Sequence, residues 1–353
     1  MKVCFFNTVK SWGGGEKWHF ENAVALKERG CEVAIFAQRN GKLAQRAKEA
    51  GINVFQMRTG NLSFLNLIKK IRLRKWLESE RFDVIIFNTP TDVKFASAVS
   101  RKAGIKHIVL RRGSALPIKN NVVNRKAFDN LTMVIANSKA TKDSLYEKNS
   151  DFISESKLRV LYNGIKIPAS LVCPDRKADV VTIGNLGRMV YQKGQDLLID
   201  VANELNRRGV DFRVKIGGIG VMKEKLEEMV NDYGLQNKVE FCGFITNAYE
   251  FLSNIDIFAL TSRGEGFGNV LAEAMAVKKP LISFDCSSAP EVVCDGVNGL
   301  LVKYADISAY ADAIESLIND EGKRKRYGEN GYSIVRENFE FEKNVDKLLA
   351  LFK

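Results

Sequence analysis

Short apolar runs and longer amphipathic segments alternate along almost the whole chain. The apolar runs are about four to seven residues long, as expected for buried strands, and the amphipathic segments repeat apolar residues at helical spacing. A regular alternation of strand and helix is typical of α/β folds that are built on parallel sheets. The pattern therefore predicts an α/β protein with doubly wound sheets.

The predicted strands form two series along the chain. In the first half they lie at residues 2–7, 31–37, 53–57, 84–88, 107–111, 133–136 and 159–162. In the second half they lie at residues 180–186, 212–217, 239–242, 257–260, 281–284 and 299–302. Helices are predicted at residues 16–29, 65–78, 139–148, 195–205, 222–233, 271–276 and 307–319.

A chain of 353 residues is longer than one hydrophobic core usually serves, so two domains are expected. The boundary is placed at residues 166–179, which lack periodicity, contain Pro168 and Pro174, and follow a turn-like Asn163-Gly164 pair. It separates domain 1–165 from domain 180–340, two Rossmann-like domains that are expected to face each other across a cleft. Ligands of open α/β sheets bind at the carboxyl ends of the strands, so this cleft is the expected site.

Composition narrows the class of protein. The chain is 45% apolar and 27% charged, which is ordinary for a soluble globular protein. No apolar run approaches the ~20 residues that cross a bilayer. The six cysteines form no C-x-x-C pair, and His19 and His107 belong to no cluster with zinc spacing. We therefore expect a cytoplasmic protein with buried, reduced cysteines, a partly exposed His19, a structural His107 and no metal site.

Charge is distributed unevenly between the two halves. Residues 1–165 hold 30 Lys and Arg against 14 Asp and Glu, a net charge of +16, whereas the remainder holds 24 against 28, a net charge of −4. The basic half suggests anionic lipid, phosphorylated glycan or nucleic acid as partner, although a lysine-rich soluble surface would carry the same charge. Residues 68–77 predict a basic amphipathic helix, which suits either an anionic membrane surface or an ordinary solvated helix face.

The most informative motif covers residues 262–276. It contains Glu265 and Glu273, separated by seven residues, and three glycines that let a ligand approach the backbone closely. The helix that follows offers free N–H groups and a positive dipole end to an anion. Amides for a phosphate and carboxylates for hydroxyls would suit a nucleotide-sugar.

A second motif lies on the loop after the predicted strand 180–186. Arg188 and Lys193 place two cations at the carboxyl edge of the sheet, where they would clamp a diphosphate and neutralise a leaving group. Solvated basic loops are common, so this motif indicates a diphosphate site mainly because Glu265 and Glu273 follow it along the chain.

Together, residues 187–198 and 262–276 resemble the signatures of retaining glycosyltransferases of family 4, which have the two-domain glycosyltransferase-B fold. Further matches are Gly13-Gly14-Gly15-Glu16 after the first strand, Gly217-Gly218-Ile219-Gly220 after a later strand, and residues 289–302 downstream. The resemblance is strong over about residues 180–305 and weaker over residues 1–165. It also implies that a last helix, at about residues 341–352, crosses back to the first domain.

The resemblance implies metal-independent transfer of a sugar, with retention, from a UDP-sugar or GDP-sugar to a glycan or glycolipid in lipopolysaccharide or polysaccharide biosynthesis. Arg188 and Lys193 would grip the diphosphate, Glu265 the transferred sugar and Glu273 the ribose; Glu265, Arg188 and Lys193 are the expected catalytic residues. No cofactor is expected. The expected donor-binding residues are Gly14, Gly15, Arg188, Lys193, Gly218, Glu265, Gly266, Phe267, Gly268, Asn269, Val270 and Glu273.

One departure from the family concerns the acceptor. Many members have a histidine near residue 111, where this chain has Arg111 and Arg112, and we expect these arginines to bind the acceptor near a basic loop with Lys119, Arg125 and Lys126. Peripheral contact with the inner face of an anionic membrane is expected. A sugar phosphorylase or a nucleotide-sugar epimerase on the same fold is the alternative. Nucleic-acid binding is disfavoured because no helix-turn-helix, zinc or RNP-type signature occurs.

Overall fold

A computed structural model describes residues 1–114, 116–168 and 180–353 of the chain. The chain divides into two compact units, one formed by Met1–Asn163 with Asn344–Lys353 and the other by Gly164–Lys343. Of the expected linker at residues 166–179, residues 169–179, which include Pro174, lie outside the described part. Each unit has an α/β architecture of its own.

The first unit is built on a seven-stranded parallel sheet with the order β3-β2-β1-β4-β5-β6-β7. The central strand β1 pairs with β2 in the register Cys4↔Ala34 and with β4 in the register Cys4↔Ile85. Val3, Cys4, Phe5 and Phe6 are fully buried, because helices cover both faces of a parallel sheet. The strands are β1 Lys2–Asn7, β2 Glu32–Gln38, β3 Asn53–Met57, β4 Val84–Phe87, β5 His107–Arg112, β6 Met133–Ala136 and β7 Leu158–Val160.

Several helices of this unit begin at residues whose side chains cap the first turn. Thr89 and Asp92 form a capping box at the start of α4, and the side chain of Ser138 caps α6. The helices are α1 Gly14–Glu28, α2 Lys42–Glu49, α3 Leu67–Glu80, α4 Pro90–Lys102, α5 Val122–Phe128 and α6 Lys139–Asn149. The last helix of the chain, α13 Phe341–Ala350, supplies the segment Asn344–Lys353 that groups with this unit.

The second unit is built on a six-stranded parallel sheet with the order β10-β9-β8-β11-β12-β13. Its strands are β8 Thr182–Leu186, β9 Arg213–Gly217, β10 Val239–Gly243, β11 Ile257–Leu260, β12 Leu281–Asp285 and β13 Gly299–Lys303. Its helices are α7 Gln195–Arg207, α8 Lys223–Asp232, α9 Ala248–Ser253, α10 Asn269–Ala276, α11 Ile307–Ile318 and α12 Glu321–Ile334. Tyr310 on α11 is fully buried and donates its hydroxyl to the carbonyl of Ile282 over 2.9 Å.

Both sheets reverse their strand order once, between β1 and β4 in the first unit and between β8 and β11 in the second. At such a switch point the loops on the two neighbouring strands run to opposite faces and leave a crevice at the carboxyl edge. The loops after β1, β8 and β11 carry the glycine-rich and charged motifs, so the topology places these motifs at the two switch points.

Every predicted strand occurs, and each bound lies within two residues of the expected position. Within the described residues, α2, α4, α5, α9 and α12 are additional helices. The helix α5 corrects one expectation, because Arg125 and Lys126 lie on that helix and not in a loop. None of the described helices is both long and apolar enough to cross a membrane.

The expectation of a partly exposed His19 is wrong. The imidazole is fully buried, and it packs edge-on against Phe5 and Trp18 at centroid distances of 5.6 and 5.4 Å. The reason is the face of α1 on which it lies, which packs against β1. The expectation of buried cysteines holds for Cys4, whereas Cys294 is exposed.

Candidate active site

Most of the predicted donor-binding residues meet at the carboxyl edge of the second sheet. The loop at residues 187–193 follows β8, and the loop at residues 261–268 follows β11 on the neighbouring strand. Gly194 has φ 63, and a Cβ atom there would collide with the carbonyl oxygen of Thr261. Only glycine allows these two backbones to touch, so the two motifs form one surface.

The loop after β9 joins this surface. Gly218 has φ 133, and a Cβ atom there would collide with the carbonyl oxygen of Gly187. The amide of Met189 donates to the carbonyl of Ile219 over 2.9 Å. The glycine-rich segment 217–220 therefore lies directly against the start of the Arg188 loop.

Lys193 and Glu265 form an ion pair at the centre of this surface. The Nζ of Lys193 lies 2.6 Å from the Oε1 of Glu265, and the hydroxyl of Ser262 donates to the same oxygen over 2.7 Å. The two side chains are only 21% and 13% exposed. Among the described residues nothing donates to the Oε2 of Glu265, so this carboxylate keeps an oxygen available to a ligand hydroxyl.

The side chain of Arg188, unlike that of Lys193, has no partner in the described part of the chain. Its side chain is exposed and makes no hydrogen bond or ion pair with any described residue. Its carbonyl is held by the side-chain amide of Gln195, at 3.3 Å. The same loop therefore carries one cation in an ion pair, Lys193, and one cation, Arg188, with no ion pair to a described residue.

The backbone between Glu265 and α10 leads to the start of that helix. Gly268 caps α10 with φ 75, and Asn269 and Val270 are the first two helical residues. The ring of Phe267 is buried and lies edge-on against Phe339 at 5.2 Å, so this ring cannot contact a ligand. Glu273 lies one turn into the helix and is half-buried. The positive end of the helix dipole therefore faces the loop that carries Glu265.

Sequence reasoning missed two serines that hold the backbone of Glu265. The hydroxyl of Ser287 donates to the carbonyl of Glu265 over 2.6 Å, and Ser288 donates to the same carbonyl over 3.2 Å. Ser287 has φ 54, a left-handed conformation that is costly for a residue with a side chain and is typical of functional sites. The position of Ser287 and Ser288 just after β12, at the same sheet edge, is the signal that would have found them.

The first unit holds the remaining predicted residues, at its own switch point. Gly15 lies against Asn88, since a Cβ atom on Gly15 would come within 2.6 Å of the Oδ1 of Asn88. The Oε1 of Glu16 accepts hydrogen bonds from the Nδ2 atoms of Asn7 (3.1 Å) and Asn88 (2.9 Å). Gly14 and Gly15 thus open α1 beside a buried carboxylate that joins the ends of β1 and β4.

Arg111 and Arg112 end the next strand, β5. Arg111 is 5% exposed, donates to the Oδ1 of Asn163 over 2.7 Å and lies 5.1 Å from the ring centroid of Trp18. Burial lowers the pKa of Arg111 to about 10. Arg112 donates to the carbonyl of Leu116 over 2.7 Å. These contacts make Arg111 a fixed, buried cation and leave Arg112 nearer the surface.

Comparison with known proteins identifies the family. The model of the family "Glycosyl transferases group 1" matches residues 174–334, and the model of "Glycosyltransferase Family 4" matches residues 12–167. An uncharacterized glycosyltransferase of Methanocaldococcus jannaschii is 31% identical over 76% of this chain and 74% of its own length. The chain belongs to the group 1 glycosyltransferases. A lipopolysaccharide core biosynthesis glycosyltransferase of Rhizobium meliloti, LpsE, is 26% identical over 99% of this chain and 98% of its own length.

Solved structures of glycosyltransferases share the fold. Anabaena HepE in complex with UDP has a TM-score of 0.86 and 22% identity, with 99% of each chain covered. The lipopolysaccharide outer core galactosyltransferase WaaB in its apo form has a TM-score of 0.79 and 22% identity, also with 99% of each chain covered. The two parallel-sheet domains are therefore those of the glycosyltransferase-B fold.

Proposed function

We propose that this glycosyltransferase transfers a sugar, with retention of configuration and without a metal ion, from a nucleoside diphosphate sugar to a glycan or glycolipid of the cell envelope. The observation that carries the proposal is the Lys193–Glu265 pair, at 2.6 Å, on the same loop as Arg188, whose side chain has no partner among the described residues. A cation pair for a diphosphate and a carboxylate for sugar hydroxyls lie on one surface. That surface is the carboxyl edge at the switch point of a parallel sheet.

Two kinds of relatives support the choice of substrates. HepE has been solved with UDP and with UDP-glucose, which favours UDP over GDP as the nucleotide of the donor. The name of LpsE of Rhizobium meliloti, a lipopolysaccharide core biosynthesis glycosyltransferase, favours lipopolysaccharide as the product. LpsE matches almost the full length of both chains, so it supports the proposal for both units together.

In the proposed reaction the bond between the anomeric carbon and the β-phosphate oxygen breaks as the acceptor oxygen bonds to the same face of that carbon. Arg188 and Lys193 stabilise the negative charge that develops on the leaving diphosphate. The proton of the acceptor hydroxyl passes to an oxygen of the departing phosphate. Glu265 holds the hydroxyls of the sugar, and Glu273 holds those of the ribose.

A thermal-shift panel of UDP, GDP and their sugars, in the presence of EDTA, tests this proposal. UDP should stabilise the protein, by about 2.7 kcal/mol at a hundredfold excess over the dissociation constant. The anomeric proton of the product, followed by NMR, should report retention. A strict requirement for a divalent ion, or phosphorolysis or epimerisation of the donor in place of transfer, would contradict the proposal.

We further propose that the first unit contacts an anionic membrane, such as the cytoplasmic leaflet, through the segment 62–75. Of the apolar residues that suggested an amphipathic helix, Leu73 and Leu77 are fully buried and Trp76 stacks on Phe55 at 4.6 Å. The other two, Ile68 and Ile71, are exposed together with Leu62, Leu65 and Leu67, and the exposed fractions of these five lie between 56% and 79%. Cations interleave with this set, and such a surface suits the boundary between lipid headgroups and chains.

Vesicle binding tests the membrane contact. Replacing Lys69, Lys70, Arg72, Arg74 and Lys75 by glutamine should release the protein from phosphatidylglycerol vesicles, because each cation near an anionic surface contributes about 1 kcal/mol. Replacing Leu62, Leu65 and Ile68 by serine is the matched set, which keeps the charge and removes exposed apolar area. Both variants should still bind UDP. Equal binding of wild type to phosphatidylcholine and phosphatidylglycerol vesicles would contradict the electrostatic part.

A further inference from the structure

A second ion pair lies beside the Lys193–Glu265 pair, between residues to which the proposed reaction gives no role. Arg263 binds Asp196 through both arms of its guanidinium, at 2.8 Å from Nη1 to Oδ1 and 2.7 Å from Nη2 to Oδ2. Each of the two side chains is only 16% exposed. Bidentate pairs of this kind fix orientation as well as distance, which a lysine would not do.

Arg263 also holds the loop that carries Lys193. Its Nη1 donates to the carbonyl of Tyr191 over 2.7 Å, and its guanidinium carbon lies 3.9 Å from the centroid of the Tyr191 ring. Its backbone amide donates to the carbonyl of Gln192 over 2.9 Å, and the side chain of Gln192 donates back to the carbonyl of Gly264 over 2.8 Å. The segments 191–193 and 263–265 are therefore joined on both sides of the Lys193–Glu265 pair.

Arg263, with its contacts to Asp196 and Tyr191, forms a clamp between the two loops. The charges of Arg263 and Asp196 are stable. Burial acts to raise the pKa of Asp196, but the hydrogen bonds and charge of Arg263 outweigh it, and the pKa is lowered. The hydrogen bonds of Asp196 raise the pKa of Arg263 in turn. Both groups are ionised at any pH at which the protein would act, so the clamp holds the loops without a titration of its own.

We propose that Arg263, held by Asp196 and Tyr191, is a positioning residue that sets the separation between Lys193 and Glu265. The inference rests on the proposed function, in which Lys193 binds the diphosphate and Glu265 binds the transferred sugar. The clamp then fixes where the leaving phosphate lies relative to the anomeric carbon. A misplacement of about 1 Å can cost ~100-fold in rate. UDP lacks the sugar, so its affinity should depend on the clamp much less than turnover does.

The test compares Arg263→Ala, Arg263→Lys and Asp196→Asn with wild type. UDP affinity is measured by calorimetry, and turnover by release of sugar from UDP-glucose or from whichever donor stabilises the wild type. We expect kcat to fall by roughly 10- to 100-fold in both Arg263 variants, with the dissociation constant of UDP changed less than about threefold. Guanidinium ion at millimolar concentration should partly restore the turnover of Arg263→Ala, and methylammonium should not.

Arg208→Ala is the matched control. Arg208 binds Asp312 and Glu204 in the same unit through a side chain that is 23% exposed, and it joins α7 to α11 away from both motif loops. It should lower the melting temperature by a similar amount and leave kcat within about twofold of wild type, because it removes only a structural ion pair.

The outcomes separate the clamp from the proposed function. If the wild type neither binds UDP nor consumes any nucleotide-sugar, both the proposed function and the role of the clamp are contradicted. A wild type that is active, with full turnover in Arg263→Ala and Arg263→Lys, would overturn the clamp alone. Parallel losses of UDP affinity, turnover and melting temperature in the Arg263 variants, matched by Arg208→Ala, would also overturn it, since they would show a purely structural role. If Arg263→Ala fails to fold, Arg263→Lys and Asp196→Asn still decide the question.

Discussion

The two units share a topology and differ in the chemistry at their switch points. In the second unit the carboxyl edge carries charged pairs, Lys193 with Glu265 and Arg263 with Asp196. In the first unit the loops after β1 and β4 carry side-chain amides, with Asn7 and Asn88 donating to the buried carboxylate of Glu16. The fold therefore supplies the position of a ligand, and the side chains decide its class. Charged pairs suit a diphosphate, whereas side-chain amides suit the hydroxyl groups of a glycan.

The same substitution in each unit gives the largest contrast. Glu265→Gln removes the negative partner of Lys193 and the strongest acceptor for a sugar hydroxyl, so we expect turnover to fall by about 100-fold or more. Glu16→Gln keeps a side-chain oxygen that accepts the hydrogen bonds of Asn7 and Asn88. We therefore expect its loss of turnover to be about tenfold smaller than that of Glu265→Gln. Donor turnover and UDP affinity are measured for both variants. A larger loss of turnover in Glu16→Gln than in Glu265→Gln would break the contrast.

Acid sensitivity should come from the first unit. Burial lowers the pKa of His19 from the ordinary 6.5 to about 4, so between these values the unfolded chain binds a proton that the folded protein does not. The stability that His19 contributes is therefore lost as the pH falls from 6.5 toward 4. Urea unfolding measures the free energy of unfolding of wild type and of His19→Gln. We expect the excess of the wild-type value to shrink by roughly 2 to 3 kcal/mol between pH 7 and pH 4.

Measuring that difference isolates His19 from Asp92. Burial raises the pKa of Asp92 to about 6, so the pH dependence that Asp92 causes is opposite to that of His19. The stability that protonated Asp92 contributes to the folded protein is lost as the pH rises through that value. Both variants keep Asp92, and its contribution cancels in the comparison. A difference between wild type and His19→Gln that does not change with pH would show that the buried imidazole does not titrate in this way.

Glu273→Gln should have a smaller effect, on the nucleotide alone. If Glu273 holds the ribose hydroxyls, loss of its charge should weaken UDP binding by about tenfold, the equivalent of one charge-assisted hydrogen bond. Calorimetric titration with UDP measures this, and Glu265→Gln is the comparison, because UDP has no sugar for Glu265 to contact. Unchanged UDP affinity in Glu273→Gln, together with a large loss in Glu265→Gln, would reverse the assigned roles.

The strands and the two motif-bearing loops that follow β8 and β11 could be predicted from the sequence, because each depends on local pattern. A run such as Val84–Phe87 is apolar throughout, and glycine beside Glu265 marks a close backbone approach within a few residues. The short helices α5 and α9 were missed because only six or seven residues leave little periodicity to detect. Their starts depend on single caps, Asn121 and Asn247.

The pairing of the charges could not be predicted in the same way. Lys193 and Glu265 are 72 residues apart in the chain, and only the adjacency of β8 and β11 brings them within 2.6 Å. The sequence assigned both cations to the diphosphate, and it did not predict that Lys193 forms an ion pair while Arg188 forms none with the described residues. The burial of His19 was missed for a related reason, since one histidine on an amphipathic helix does not reveal which face packs inward.

Hydrogen exchange with and without UDP, in the presence of EDTA, tests the central claim most directly. If the charged edge of the second unit is the donor site, UDP should slow exchange in segments 187–194 and 263–273, and the clamp should make both segments respond together. The segment 204–212, which includes Arg208 and lies at the far end of α7, should not change. Protection confined to residues 1–163, or tight binding of UDP without protection of either segment, would contradict the assignment of the donor site to the second unit.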